Sequence, residues 1–210
     1  MHLTKEDIRH TERIKRLNII NSVSGIKPAN LIGTESNQSK SNLAIFSSVI
    51  HLGSDPALLG FILRPQGEQP GHTFANILES GYYTINQVHA SITAQSHFTS
   101  AKFDKDESEF DKCGLTKEYL PGFNAPFVKE SILKIGMKYL EQIPIEVNGT
   151  SLIIGEIQHL ILPDEAVSDE GYVDYEILSS IGIVGLNTYY GVNKVADFPY
   201  ARPSELPSKW

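Results

Sequence analysis

Cysteine is nearly missing: Cys113 is the only one among 210 residues. A lone thiol cannot close an internal disulfide, so a reducing, cytoplasmic setting is expected. In that setting the sequons Asn37-Gln38-Ser39 and Asn148-Gly149-Thr150 have no glycosylation meaning. Long hydrophobic runs are missing too, and nothing approaches the roughly 18 apolar residues of a membrane span. The opening segment MHLTKEDIRHTERIKR is charged throughout and has no apolar stretch of the secretory kind. Membrane is therefore not an expected partner. Positive charge is in deficit, with 18 Lys and Arg against 25 Asp and Glu, a formal net charge of -7. That balance argues against nucleic acid as the main partner.

Standard chemical signatures are also missing. No G-x-G-x-x-G follows a strand-like run, and no G-x-x-x-x-G-K-[ST] occurs. There is no C-x-x-C and no H-E-x-x-H, and the seven histidines are scattered, so no metal is expected. Cys113 lies among charges with no base signalled for it and reads as a bystander thiol. No side chain stands out as a catalytic acid, base or nucleophile.

What is there is an ordinary globular composition, 40% hydrophobic and 20% charged, in a chain long enough to bury a core. Thr4 with Asp7 three residues on predicts a capping box opening a helix over 5–20. Its basic cluster, Arg9, His10, Arg13, Lys15 and Arg16, reads first as a solvated face. Strand-like runs follow at 29–36, 41–52 and 57–64, separated by the turn chemistry of NQSK and GSDP. A Pro/Gly loop covers 64–71, a short helix with a Gly stop 72–81, and a strand 82–88. Segment 89–102 has weak helical periodicity, and 103–114 reads as a surface loop or short helix. Further strands are expected at 131–145 and 150–163, while 171–177 fits either a strand or the entry to a helix. Many short strands with helical interruptions favour an antiparallel barrel over a doubly wound sheet.

The stretch KSNLAIFSSVIHLG (40–53) plants Ser41, Asn42, Ser47 and Ser48 in an apolar strand. A flat, partly polar heterocycle bound at a strand edge would use such groups. The start of the 72–81 helix would suit its phosphate, since helix N-termini carry unpaired N–H groups. Thr73 fits two roles on spacing alone: a phosphate ligand, or the N-cap of its own helix.

Taken in order, these residues carry a family resemblance. The series runs Asn42-Leu43-Ala44-Ile45-Phe46-Ser47, then Asp55-Pro56-Ala57-Leu58-Leu59-Gly60-Phe61, then His72-Thr73-Phe74-Ala75-Asn76-Ile77. It continues with Tyr83-Thr84-Ile85-Asn86, Thr99-Ser100-Ala101, Ser108-Glu109-Phe110, Gly114-Leu115 and Ile153-Ile154-Gly155-Glu156-Ile157. Together they resemble the flavin reductase-like domain, an FMN-binding split antiparallel β-barrel, mainly β with helical excursions. The resemblance implies one domain over 1–210, with an N-terminal helix (1–20), a barrel region (18–165) and a C-terminal extension (166–210).

It further implies a homodimer with FMN at or near the subunit interface. By position, Asn42, Leu43, Ala44, Ser47 and Ser48 would line the cofactor, and His72 and Thr73 would meet its phosphate. Asn86 and His89 would border it from the next strand, and Ser100 and Ala101 from the following loop. Arg64 would counter the phosphate or the charge of an incoming nicotinamide nucleotide. The expected activity is electron transfer from NAD(P)H through FMN to free flavin or another acceptor; the alternative is an FMN-binding electron carrier without NAD(P)H oxidation. Two departures bear on this choice. Relatives that serve monooxygenases carry Gly-Asp-His where this chain has Asn148-Gly149-Thr150. The run Arg-Leu-Gly-Gly-x-x-Tyr is echoed only by Gly185, Tyr189 and Tyr190.

Overall fold

The computed structural model describes residues 1–68, 70–104 and 106–207. Helix α1 (Lys5–His10) opens on the expected capping box, in which the Thr4 and Asp7 side chains each bond the other residue's backbone N–H. The predicted single helix over 5–20 is instead two. Thr11 leaves the helical region, and the Glu12 side chain caps a second helix, α2 (Arg13–Ser22), by accepting from the Ile14 and Lys15 amides.

Strand β1 (Lys27–Pro28) is followed by β2 (Asn30–Glu35) and β3 (Ser41–Phe46), then β4 (Ile50–Ser54) and β5 (Ala57–Leu63). The predicted strand over 41–52 is thus divided at Ser47–Val49. Helix α3 (His72–Ser80) ends on Gly81, whose φ of 73° is the left-handed stop expected of a glycine. Next come β6 (Tyr82–Gln87), α4 (Thr93–Phe98) and α5 (Glu109–Cys113), then the short pair β7 (Lys117–Glu118) and β8 (Phe127–Val128). The long strands β9 (Lys134–Ile145) and β10 (Thr150–Ile161) form a hairpin. Segment 171–177 is neither strand nor helix entry but a turn region bridged at Val167 and Val173. Two strands the sequence reading did not place, β11 (Ile181–Val184) and β12 (Thr188–Gly191), lie in the C-terminal part and join β1 in a small sheet.

The principal sheet is antiparallel and seven-stranded, in the order β3-β2-β6-β9-β10-β5-β4. Its two edge strands, β3 and β4, are consecutive in the chain. Three residues therefore connect opposite edges, so the sheet must curl on itself, and the barrel stays split between them. At that split the Ser48 hydroxyl donates to the Ile62 carbonyl (3.2 Å) and accepts from the Ile62 amide (3.1 Å). One side chain there stands in for a rung of the ladder between β4 and β5.

Strand β2 is buried on both faces, which explains its apolar run without alternation. Ile32 points into the barrel with Phe61, Tyr83, Met137 and Ile153. Leu31 faces a second core with Leu43, Phe110, Val128, Ile181 and Ile183. The C-terminal extension thus shares a core with the barrel's outer face.

Candidate functional site

Strand β3 has β2 on one side only, so its other edge is open to other groups. The Leu43 amide points outward there and donates to Glu109 Oε2 at 3.0 Å. Alternation along an antiparallel strand sends the Ile45 peptide group to the same outer edge. On the pleat, Leu43 and Ile45 pack into the outer core, whereas Asn42 lies on the opposite face.

Asn42 is only 6% exposed, and its Nδ2 donates to the Thr73 hydroxyl at 2.9 Å. That bond fixes the start of α3 against the start of β3. The N-cap of α3 is Gly71, which has no side chain to bond the first-turn amides. Thr73 is therefore not the N-cap, and of its two sequence roles that one is removed. With nothing capping it from a side chain, the first turn of α3 presents its N–H groups outward, a setting that favours anions.

Along the side of α3 that carries His72, Asn76 and Glu79 is a cavity of about 220 Å³, lined also by Lys40, Asn42, Glu107 and Glu109. Asn76 reaches from α3 to the Thr34 hydroxyl (3.2 Å), which sets the pitch of the helix on the sheet. Gln66 closes the Pro/Gly loop from the other end. Its amide bonds the Arg64 carbonyl (2.7 Å) and its oxygen accepts from the Gly71 amide (2.6 Å). Lys40 pairs with Asp106 across the mouth.

Glu109, 6% exposed, is the one buried carboxylate here. Burial pushes its pKa up, offset in part by the Leu43 and Glu109 amides and by the charge of His72. Cys113, partly buried on the same helix, has its thiol pushed up by burial and by the Glu109 charge, which disfavours the thiolate. Among the described residues no group of three potential metal ligands converges.

The residues expected from the sequence do not all meet. Asn42, His72 and Thr73 gather at the α3 start, with Leu43 and Ala44 next along β3. Ser47 and Ser48 lie at the split, and the Ser48 hydroxyl is engaged by Ile62. Asn86 is fully buried, bonded to the Leu31 carbonyl, the Thr84 hydroxyl and the Val128 amide, so its side chain serves the barrel. His89 meets the Glu130 carbonyl (2.9 Å) and the Ser91 hydroxyl (3.1 Å). Arg64 is exposed beyond β5, and Ser100 and Ala101 are exposed after α4, the Ser100 hydroxyl returning to the His97 carbonyl (2.7 Å).

Sequence reasoning missed Lys40 and Glu109 as parts of this site. Lys40 was read as turn chemistry, and Glu109 was hidden in a charged surface segment. The spacing of Glu109 one residue before buried Phe110 was the available signal. Tyr189, one of the C-terminal echoes, has a clear place: its hydroxyl meets His97 Nδ1 at 3.0 Å. Tyr200 and Arg202 stay exposed, the arginine pairing with Glu205.

An open antiparallel barrel with an uncapped helix start beside its free edge defines a class, and the comparisons agree on it. The flavin reductase like domain matches residues 26–177, and the chain belongs to that family. Among solved structures, it is similar to a split-barrel-domain protein of Shewanella frigidimarina NCIMB 400, provisionally named a flavin reductase. Identity is 51%, over 96% of this chain and all of that one, with a TM-score of 0.92. Nitrilotriacetate monooxygenase component B from Bacillus cereus shares the fold at 16% identity, with a TM-score of 0.82 over 94% of this chain and 98% of that one. Flavoredoxin of Desulfovibrio vulgaris (Miyazaki F) does so at 22%, with a TM-score of 0.72 over 84% and 92%. The last two likenesses speak to the fold alone.

Proposed function

We propose that the chain is an FMN-binding oxidoreductase of the flavin reductase type, passing electrons from NAD(P)H through FMN to free flavin or another acceptor. The observation that carries this reading is the α3 start. A helix start with no side-chain cap borders, through His72, a cavity that Lys40 also lines, and Thr73 beside it is fixed by buried Asn42. A phosphate monoester would draw on the first-turn N–H groups, His72 and Lys40, the last already paired with Asp106, while Glu79, Glu107 and Glu109 on the lining limit how much negative charge is tolerated. A cavity of about 220 Å³ has room for the phosphate end only. The flat ring system would extend along the free edge of β3, past Leu43 and Ala44 towards Ser47 and Ser48.

When bound, FMN supplies the hydride and electron chemistry. The chain's own residues bind and orient. His72 and Thr73 hold the phosphate, and the outward Ile45 amide of β3 offers a donor to a ring oxygen, the Leu43 amide being held by Glu109. A donor so placed favours negative charge developing on the ring. His89, Asn86, Ser100 and Ala101 border the far side through backbone or small side chains, and Arg64 meets the approaching nicotinamide nucleotide. A second copy completes the groove, as the family resemblance implies.

One observation favours a second reading, an electron carrier without a hydride donor of its own. The turn at 148–150 holds no titratable side chain, and the Asn148 side-chain oxygen is engaged by the Thr150 amide (3.1 Å) and hydroxyl (2.7 Å). The visible absorption spectrum of the purified protein, after FMN saturation and desalting, tests the shared part. Retained flavin bands support both readings; their loss overturns the carrier and leaves only a reductase that takes flavin as an exchanging substrate. Anaerobic NADH or NADPH then separates them: bleaching supports the reductase, while colour that only dithionite removes supports the carrier.

A further inference from the structure

Two surfaces left open by the fold match each other. Neither α1 nor α2 contains a buried residue. Along α2, Ile14, Leu17 and Ile20 are 58%, 38% and 49% exposed, and Val23 just beyond is 72% exposed. Apolar residues three apart form a stripe on a helix, and a helix this short has little stability in water unless the stripe is covered. Arg13 lies on the same face, between Leu17 and Ile20 around the helix, and forms no ion pair among the described residues, Glu6 being taken by Arg9 and His10.

The complementary surface is a cavity of about 550 Å³ between the 165–177 segment and residues 192–197. Its apolar lining includes Val167, Ile177, Tyr172 and Tyr175, all four exposed in the single chain. Its charge is negative. Lys194 is paired with Asp197, while Glu165, Asp174 and Glu176 form no salt bridge among the described residues. An apolar groove edged with carboxylates fits an apolar helix face that carries an unpaired arginine.

We propose that α2 of one copy docks into this groove of a second copy, Ile14 and Leu17 filling the apolar part and Arg13 facing the carboxylates. The groove cannot be serving α2 of its own chain, because that stripe is exposed in the folded protomer. Exchange between two copies is reciprocal, so a two-fold pair buries both stripes and both grooves at once. The inference rests on the second-copy part of the proposed function and not on flavin.

The test is cysteine pairing in the full-length chain, with Cys113→Ser as background. Ile14→Cys and Val167→Cys chains, carrying different affinity tags, are co-expressed, oxidised mildly and run on a non-reducing gel. The expected result is a covalent dimer containing both tags, its yield cut severalfold by Arg13→Glu and restored when Glu165→Arg is added to the Val167→Cys chain. A dimer by size-exclusion chromatography with no mixed-tag product overturns the exchange while leaving the second-copy reading intact. A monomer by chromatography overturns both. An internal disulfide in the Ile14→Cys/Val167→Cys double variant, migrating as a monomer, overturns the exchange in favour of the chain's own helix.

Discussion

Thr73 and Asn42 sit on different elements and share one buried hydrogen bond at 2.9 Å. Thr73→Val keeps the shape but leaves the Asn42 amide without its acceptor, at a cost of about 1–3 kcal/mol. Thr73→Ser retains the hydroxyl and loses only a methyl group. Urea unfolding is expected to rank the parent first, then Thr73→Ser, with Thr73→Val least stable; equal losses in the two variants would show the bond carries no weight. Glu109 gives a pH signature of known sign. Burial raises its carboxyl above 4.5, so the folded chain holds the proton more tightly than the unfolded one. Stability from this group is present at low pH and falls as pH rises through the window from 4.5 to the raised value. Glu109→Gln keeps an oxygen for the Leu43 amide without the charge. Its stability relative to the parent is therefore expected to climb across that window and level off above it, as read from denaturant midpoints at several pH values.

At the scale of elements, β6 and β10 meet through an exact fit of small against large. A Cβ on Gly155 would stand 2.3 Å from the Tyr83 hydroxyl and 3.0 Å from the Lys138 carbonyl. The Tyr83 hydroxyl is itself buried without a partner, and burial pushes its pKa well above the ordinary tyrosine range. Gly155→Ala is expected to destabilise by about 1–3 kcal/mol through overpacking. Tyr83→Phe should be near neutral, since it removes an unsatisfied group. The double variant should recover part of the loss, a coupling that thermal melts of the four proteins would measure. Much at this scale was legible in the sequence. The glycine stop at Gly81, the capping box at Thr4 and the strands β9 and β10 follow from local chemistry that tertiary contacts do not overrule. The break at Thr11 and the division at Ser47–Val49 were not legible. Both sit in runs of unchanged composition, where the interruption comes from a side chain replacing a backbone partner, Glu12 in one case and Ser48 in the other. Strand β11 escaped because its pairing with β1 joins segments more than 150 positions apart in sequence, and β12 is held only as its hairpin partner. The site was legible where residues cluster locally, as with Asn42 and His72-Thr73. It was not where a partner arrives from far along the chain, as Glu109 does across 66 positions.

For the whole molecule, a ligand that binds only the folded state stabilises it by mass action. If FMN binds as proposed, a hundredfold excess over its dissociation constant would add about 2.7 kcal/mol and move the midpoint of a chain this size by about 5–10 °C. Riboflavin has the same ring system and no phosphate. If the α3 start holds the phosphate, FMN should shift the melt clearly more than riboflavin at equal concentration; equal shifts would move the anchoring away from His72 and Thr73.

The open edge of β3 also bears on how the protein behaves in a crowded solution. An unpaired, largely apolar edge strand is a template on which a foreign strand can add itself, the first step towards aggregation. Glu109 occupies the place such a strand would need, because its carboxylate already accepts the outward Leu43 amide. An incoming backbone would have to evict a buried charged group before making its first hydrogen bond. The same contact that shapes the cavity thus acts as a guard against fibrous self-association. Glu109→Ala, which removes the guard without adding bulk, should scatter light sooner than the parent on prolonged warm incubation at equal concentration.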